Sequence, residues 1–332
     1  MRHFATYLFP LLALLLSLTG CSHKGPVVPP AHRGVYHWKT TYNPTAWELQ
    51  WIKDHHVGRL YIKLFDVKPG KEEGFPEWAM VPAASTEFRQ ALPADMEVVP
   101  VVYITVDAIR ALNHDYGNYA ALIVKRIDEM MADHYEGSVR EIQLDCDWTR
   151  QTEQAYFLLV SEINRLLHPR HITVSGTLRL HQLHELDNSH LTDSLPFDRT
   201  LLMCYNTGAL QNPTTHNSIL DPDDVKPYLR QYRPDVLPRC DVAFPVYGWG
   251  VEFDKEGRFN RLINSQNLPD AQQKQKARGV TIREEWGDMR AIVRTQELLP
   301  ALDSNRTTIL YHLDSLNLSK YSYEDIETIY SR

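Results

Sequence analysis

Two aspartates one residue apart, Asp145 and Asp147, stand in the segment EIQLDCDW, residues 141–148. The segment alternates: Ile142, Leu144, Cys146 and Trp148 fall on one side of an extended chain, and Gln143, Asp145, Asp147 and then Thr149 on the other. Strand rise sets the two aspartate Cα atoms about 6.5 Å apart. The apolar set must pack under helices, so the polar set must point the opposite way. Two carboxylates cannot be buried there without partners or water. Either a polar pocket surrounds them, or they are solvated acids at a loop edge. In a pocket such a pair does general acid–base work or stabilises developing positive charge, and desolvation of both raises their pKa values. Asp147 is the leading acid, base or stabiliser, and Asp145 positions it.

Seven further extended runs end in residues suited to a polar ligand. They supply Tyr36 and Trp38; Asp66; Asp107, just past Thr105; Thr177 and Arg179; Met203, Tyr205 and Asn206; Tyr247 and Trp249; and Tyr311, His312 and Asp314. Any one of these side chains serves equally well in core packing. Their common place at run ends favours a shared site. Tyr205, Asn206, Arg179, Tyr247 and Asp66 are then expected to hydrogen-bond a substrate, and Trp38 and Trp249 to stack on it. A second acid would come from Asp66, Asp107, Glu252 or Asp314.

The segment Leu144-Asp145-Cys146-Asp147-Trp148 resembles the fourth-strand signature of chitinase-like barrels, glycoside hydrolase family 18. Met203-Cys204-Tyr205-Asn206 is similar to that family's sixth-strand Met-x-Tyr-Asp/Asn motif, and Pro245-Val246-Tyr247-Gly248 to its seventh-strand Pro-x-Tyr-Gly motif. The resemblance implies a TIM barrel acting on carbohydrate. In that family a Glu follows the Asp-x-Asp pair and protonates the leaving oxygen; here Thr149 holds its place, and Ile142 holds that of the signature's first Asp. A hydroxyl with no acidic proton near neutral pH cannot protonate a glycosidic oxygen. Another carboxyl has the role, or the barrel binds glycan without cutting it. The mature chain also resembles a family of bacterial lipoproteins of gut anaerobes that share Gln-Leu/Ile-Asp-Cys-Asp-Trp-Thr, a likeness that brings no activity with it.

The elements that must position these residues alternate. Strands are expected at 35–39, 59–67, 97–105, 141–148, 171–179, 200–206, 241–248 and 307–313. Helices are expected at 44–55, 118–134, 152–167, 222–232, 284–299 and 323–330. The helix at 118–134 carries Leu122, Ile123, Ile127, Met130 and Met131 at helical spacing. Eight strands interleaved with helices predict a (β/α)8 TIM barrel, with a doubly wound open sheet as the alternative. Residues 68–96 and 180–199 show no clear pattern. After strand seven, 249–253 and 258–263 flank Asp-Lys-Glu-Gly, a hairpin signal. That insertion, followed by a polar stretch at 265–279, is expected to rise over the barrel mouth.

The N-terminus reads as an address. Arg2 and His3 precede a short apolar run, Tyr7 to Leu18, too short to span a bilayer. Leu18-Thr19-Gly20-Cys21 resembles the bacterial lipobox, which implies lipidation of Cys21; an ordinary cleaved signal with a chance Cys is the competing reading. Residues 1–20 are then a signal peptide, 21–33 a proline-bearing tether, and 34–332 the barrel domain. The expected location is the cell envelope, held to a membrane by the N-terminal lipid, with carbohydrate as the partner. Two alternatives remain: a catalytically inactive glycan-binding lipoprotein, or a surface component of a nutrient-uptake assembly.

A net charge of −7 gives no basic stripe for nucleic acid. No Gly-x-Ser-x-Gly elbow or phosphate-cradling glycine loop occurs, and no cofactor is expected. A divalent ion on Asp145 and Asp147 with His181, His184 or His312 lacks any ligand-type spacing. Cys146, Cys204 and Cys240 are expected as free thiols, the first two in apolar runs facing the helices.

Overall fold

The computed structural model describes residues 32–70, 79–112, 114–187, 195–230, 239–299 and 306–331. The signal segment, Cys21 and most of the tether lie outside them. All described residues belong to one compact unit, Ala31–Arg332.

Eight parallel strands close on themselves: β1 (Arg33–His37), β2 (Arg59–Gly70), β3 (Glu97–Ile104), β4 (Glu141–Asp145), β5 (Thr173–Arg179), β6 (Arg199–Met203), β7 (Cys240–Pro245) and β8 (Thr308–Tyr311). Each pairs with the next, and β8 returns to β1 through Arg33↔Thr308 and Val35↔Leu310. Helices follow every barrel strand but β2 among the described residues, the plan of a (β/α)8 barrel.

The alternation in the sequence becomes two shells. Val35, Leu60, Ile62, Val98, Val102, Ile142, Leu144, Cys146, Trp148, Leu178, Leu202, Cys204 and Phe244 face the helices and are buried among them. Tyr36, Tyr61, Val99, Val101, Leu201, Met203, Ala243 and Ile309 fill the barrel interior. The N-terminal mouth is closed by charge: Arg59 grips Glu97 twice at 2.8 Å, and Arg199 grips both carboxylate oxygens of Asp241 at 2.8 Å. Space for a ligand is therefore left at the other end.

One irregularity matters for chemistry. Between Lys63 and Phe65 the pairing of β2 with β3 shifts by one residue. In an unbroken strand, residues three apart face opposite sides. The bulge sends Leu64 and Phe65 outward together and brings Asp66 back inward beside Lys63.

Several expectations are corrected. The stretch 68–96 extends β2 to Gly70 and adds an antiparallel strand, Ala79–Ala83, and a short Glu87–Phe88 strand paired with Thr41–Tyr42; no helix joins β2 to β3 among the described residues. The irregular stretch after β5 opens with a helix, Leu180–Asp187. The helix expected at 284–299 is a strand, Thr281–Trp286, followed by a helix, Met289–Leu298, that Asp288 caps. Leu122 lies on the outer side of the Tyr116–His134 helix, exposed rather than buried. The expected hairpin forms, Gly248–Phe253 with Phe259–Asn264, and Thr281–Trp286 enlarges it into a three-stranded antiparallel sheet. The Leu268–Arg278 helix covers one face of that sheet through Leu268 and Ala271, which pack on Ile263.

Candidate functional site

A cavity of about 730 Å³ opens at the C-terminal ends of the strands, within the size range of small-molecule sites. Each barrel strand except the short β8 sends side chains to it from its last inward positions or just beyond, and β8 contributes its own end. Trp38 follows β1, Lys63 and Asp66 come from β2, Tyr103 from β3, Asp145 from β4, and Arg179 from β5. Met203, Tyr205 and Asn206 come from the end of β6, Tyr247 and Trp249 from beyond β7, and Tyr311 with His312 from β8. The insertion closes one side with Leu262, Ile263, Asn264 and Ser265, and Asn317 reaches in beyond β8.

The walls are aromatic. Trp38 lies 6.4 Å from Tyr103 and 5.8 Å from Tyr311 by ring centroids. Tyr311 is 5.3 Å from Tyr205 and 5.6 Å from Tyr247, which is 5.4 Å from Trp249. These contacts form a continuous collar. Such rings present flat apolar faces with polar edges, the pairing that a sugar's C–H face and hydroxyl rim require. Tyr247 donates to Asn206 Oδ1 at 2.7 Å, which fixes both.

Beside the collar lies the buried acid. Asp145 is 2% exposed and accepts a 2.5 Å hydrogen bond from Thr177 Oγ1, its neighbour on β5. Burial pushes its carboxyl up to about 6; Arg179 pulls it down and the nearby Asp147 charge pushes it further up. An acid poised there exchanges protons near neutral pH. Burial and then the Asp147 and Asp145 charges push Tyr103 up to about 12. Burial lowers His312 to about 4, so its imidazole is neutral in the wall.

Asp145 and Asp147 do not share the space as the alternation suggests. Asp147 is not among the cavity-lining residues. Its side chain is 36% exposed and engages Arg179 at 2.6 Å (Nε to Oδ1), with Nη2 at 3.5 Å from Oδ2. The reason is local: β4 ends at Asp145, so the strand no longer governs where residue 147 points. Arg179 also lies 5.6 Å over the Tyr205 ring. Asp147 thus reaches the cavity only through Arg179.

The other expected acids divide. Asp66 lines the cavity, held by Lys63 at 2.9 Å and Lys68 at 3.4 Å. Asp107 is exposed in the helix after β3, paired with Arg110. Glu252 is clamped by Arg261 and Arg278 within the insertion. Asp314 caps the Ser315–Leu318 helix and pairs with Lys39 at 2.8 Å. Thr149 is tied into the turn that starts the Glu153–Leu167 helix: its N–H donates to Thr152 Oγ1 at 2.9 Å.

Trp38, Asp66, Asp145, Arg179, Tyr205, Asn206, Tyr247 and Trp249 are therefore brought together. Asp147 stands behind Arg179, and Cys21 lies outside the described residues. The sequence reading missed Lys63, Tyr103, the insertion residues Leu262–Ser265, and Asn317. Inward alternation back from the end of β3 would have found Tyr103. Lys63 was hidden by the bulge, and Asn317 lies beyond any strand. Among the described residues, no three His, Cys, Asp or Glu side chains gather as metal donors.

No protein-family model matches the sequence, and no curated protein does. Solved structures do. A chitinase from Chromobacterium violaceum superposes with TM-score 0.56 at 12% identity, covering 90% of this chain and 98% of that one. The GH18 chitinase ChiB from the chitin utilization locus of Flavobacterium johnsoniae gives 0.52 at 14%, covering 91% and 93%. The Bacillus cereus spore cortex-lytic enzyme SleL gives 0.53 at 13%, covering 88% and 74%. At such identities the likeness is one of fold: the chain shares its barrel with chitinases, one of them of glycoside hydrolase family 18, and with a spore cortex-lytic enzyme.

Proposed function

We propose that this barrel binds carbohydrate in the cavity at its strand C-terminal ends, and does not cleave it by the route of the chitinase-like family. The observation that carries the reading is the collar of six aromatic rings from Trp38 to Trp249 around a buried acid. Sugar rings stack on such faces, while Asp145, Asn206, Asn264 and Arg179 offer hydrogen bonds to hydroxyls. The family's proton donor has no counterpart at position 149, where Thr149 serves a helix-initiating turn instead.

A second reading has one specific observation in its favour. Asp145, at about 6, has the acidity of a general acid, and Asp66 is a second carboxyl in the cavity. Hydrolysis through these two would release reducing ends and would stop in Asp145→Asn. Calorimetric titration of a glycan panel, with a reducing-end assay on the same samples, separates the readings. Binding without release supports the first, and release that Asp145→Asn abolishes supports the second. No binding by any glycan overturns both.

We further propose that the chain is anchored at the cell envelope by acyl chains on Cys21, as the lipobox-like Leu18–Cys21 suggests. Incorporation of labelled palmitate into the full chain, lost in Cys21→Ser, is the expected result. Equal labelling of the two would overturn it.

A further inference from the structure

Glu285 sits near the end of the insertion's third strand, its side chain wholly covered, and it is not itself a wall of the cavity. Its carboxylate accepts from three directions. Arg283 Nε donates at 2.6 Å, the Trp249 indole Nε1 at 2.7 Å, and the Ser218 hydroxyl completes the set. The register explains the arrangement. Glu285 lies directly opposite Trp249, and Arg283 opposite Val251, so both point to the same face of the antiparallel sheet.

That face receives the loop after β6. Arg283 donates to the carbonyl oxygens of Asn212 at 2.7 Å and Leu210 at 3.1 Å, with its guanidinium 5.0 Å over the Phe253 ring. Asn217 donates to the Trp286 carbonyl at 2.9 Å. The same loop begins at Asn206, whose side chain holds Tyr247. Trp249 directly, and the loop that carries Asn206 through Ser218, are thus both held by one covered carboxylate.

We infer that Glu285 is a positioning residue: it fixes the plane of the Trp249 ring and seats the loop that carries Asn206, so that this aromatic wall stands before any ligand arrives. The role needs a carboxylate. Three donors converge on it, and a carboxylate offers acceptor sites for all three, whereas an amide offers one oxygen. A donor that loses its acceptor in a covered site is costly, so the ring and loop must move to find another. What the wall holds rests on the carbohydrate reading; that the wall is held does not.

The test uses the full chain labelled with 15N-tryptophan, the Trp249 indole signal being assigned by its loss in Trp249→Phe. In Glu285→Gln the indole proton is expected to exchange with water about tenfold faster than in the wild type, as befits loss of a hydrogen bond to a charged group. Tri-N-acetylchitotriose is then titrated into a double-mutant cycle. Affinity is expected to fall about fivefold on Glu285→Gln in the wild-type background, and less than about twofold in the Trp249→Phe background. A purely structural role would lower affinity equally in both. Unchanged indole exchange, or equal losses in the two backgrounds, overturns the inference. If Glu285→Gln fails to fold, Glu285→Asp retracts the carboxylate by one methylene and must give the same accelerated exchange. If chitotriose fails to bind the wild type while exchange still responds, the carbohydrate reading falls for that sugar and the positioning role stands.

Discussion

Replacing Asp145 by Asn removes a buried titrating group from the cavity, and the consequence for stability depends on pH in a calculable way. Burial sets the Asp145 carboxyl at about 6 in the folded chain, against an ordinary 3.8. A carboxyl raised in this way keeps its proton in the folded chain where the unfolded chain has released it. Stability from this group is therefore highest in acid and is lost as pH rises from about 4 to about 6. The full gap of roughly two pH units corresponds to about 3 kcal/mol. At pH 4.5 the unfolded carboxyl is already mostly ionised, which accounts for about 1 kcal/mol of this; about 2 kcal/mol remains between pH 4.5 and 7.5. Asn keeps an oxygen for the Thr177 hydroxyl and cannot titrate. The stability of Asp145→Asn minus that of the wild type should therefore grow by about 2 kcal/mol over that interval, read from urea unfolding at both pH values. Taking the difference cancels every other titrating group that the substitution does not disturb. A difference that stays flat refutes the burial argument. A difference of opposite sign would mean that Arg179 stabilises the ionised form more than burial penalises it.

Three further substitutions probe the frame around the site. Trp38→Ala removes one ring of the collar and should weaken glycan binding about tenfold, near 1.4 kcal/mol; unchanged calorimetric affinity would place the ligand elsewhere. Glu252→Ala should cost the insertion about 1–2 kcal/mol at pH 7, since Arg261 and Arg278 are exposed enough to rehydrate. Burial pushes the Glu252 carboxyl up, but hydrogen bonds from the two arginines hold it below its ordinary value. Its contribution is thus present at neutral pH and fades as pH falls through that lowered value, so the melting gap between mutant and wild type should narrow as the solution is acidified; a constant gap counts against the ion pair. In Gly176→Ala the new Cβ would meet the Phe197 ring at 2.4 Å. A loss of about 1–3 kcal/mol is expected, and an unchanged melting temperature would show that Phe197 yields freely.

The sequence made the barrel legible because a closed sheet under helices forces period two on every strand. Ile142, Leu144, Cys146 and Trp148 went outward and Gln143 and Asp145 inward as alternation requires. The last helix runs Tyr323–Tyr330 as expected, with Ser322 closing its capping box, and the helix expected from 222 does start at Pro222, where Asp221 caps it. The hairpin of the insertion was legible as well, but its third strand was not. Thr281–Trp286 carries two glutamates and looks like the opening turn of a helix, yet pairing with Gly248–Phe253 makes it a strand. Local preference yields there because Glu285 finds three donors on the strand's inner face. The Leu268–Arg278 helix buries only Leu268 and Ala271, too thin a stripe to show as periodicity.

Alternation gives the face of a side chain but not its depth, and the two aspartates show why that distinction decides the chemistry. Both carry the inward phase. Asp145 is the last residue of β4, flanked by Tyr103 on β3, so both backbone and neighbours hold it in the cavity. Asp147 has left the strand, and Arg179 holds it in a half-exposed ion pair. Their placement is the reverse of what their roles would need. The residue cast as a support is the buried carboxyl, raised to about 6, and the residue cast as the acid pairs with Arg179, which lines the cavity. The two substitutions should accordingly differ in kind. Asp145→Asn should change how binding depends on pH between about 5 and 7, the window set by its raised carboxyl. Asp147→Asn should lower affinity by freeing Arg179, with the shape of that pH profile kept. Calorimetric titration of the same glycan across that range distinguishes them, and a profile flattened by Asp147→Asn instead would return the acid's role to Asp147.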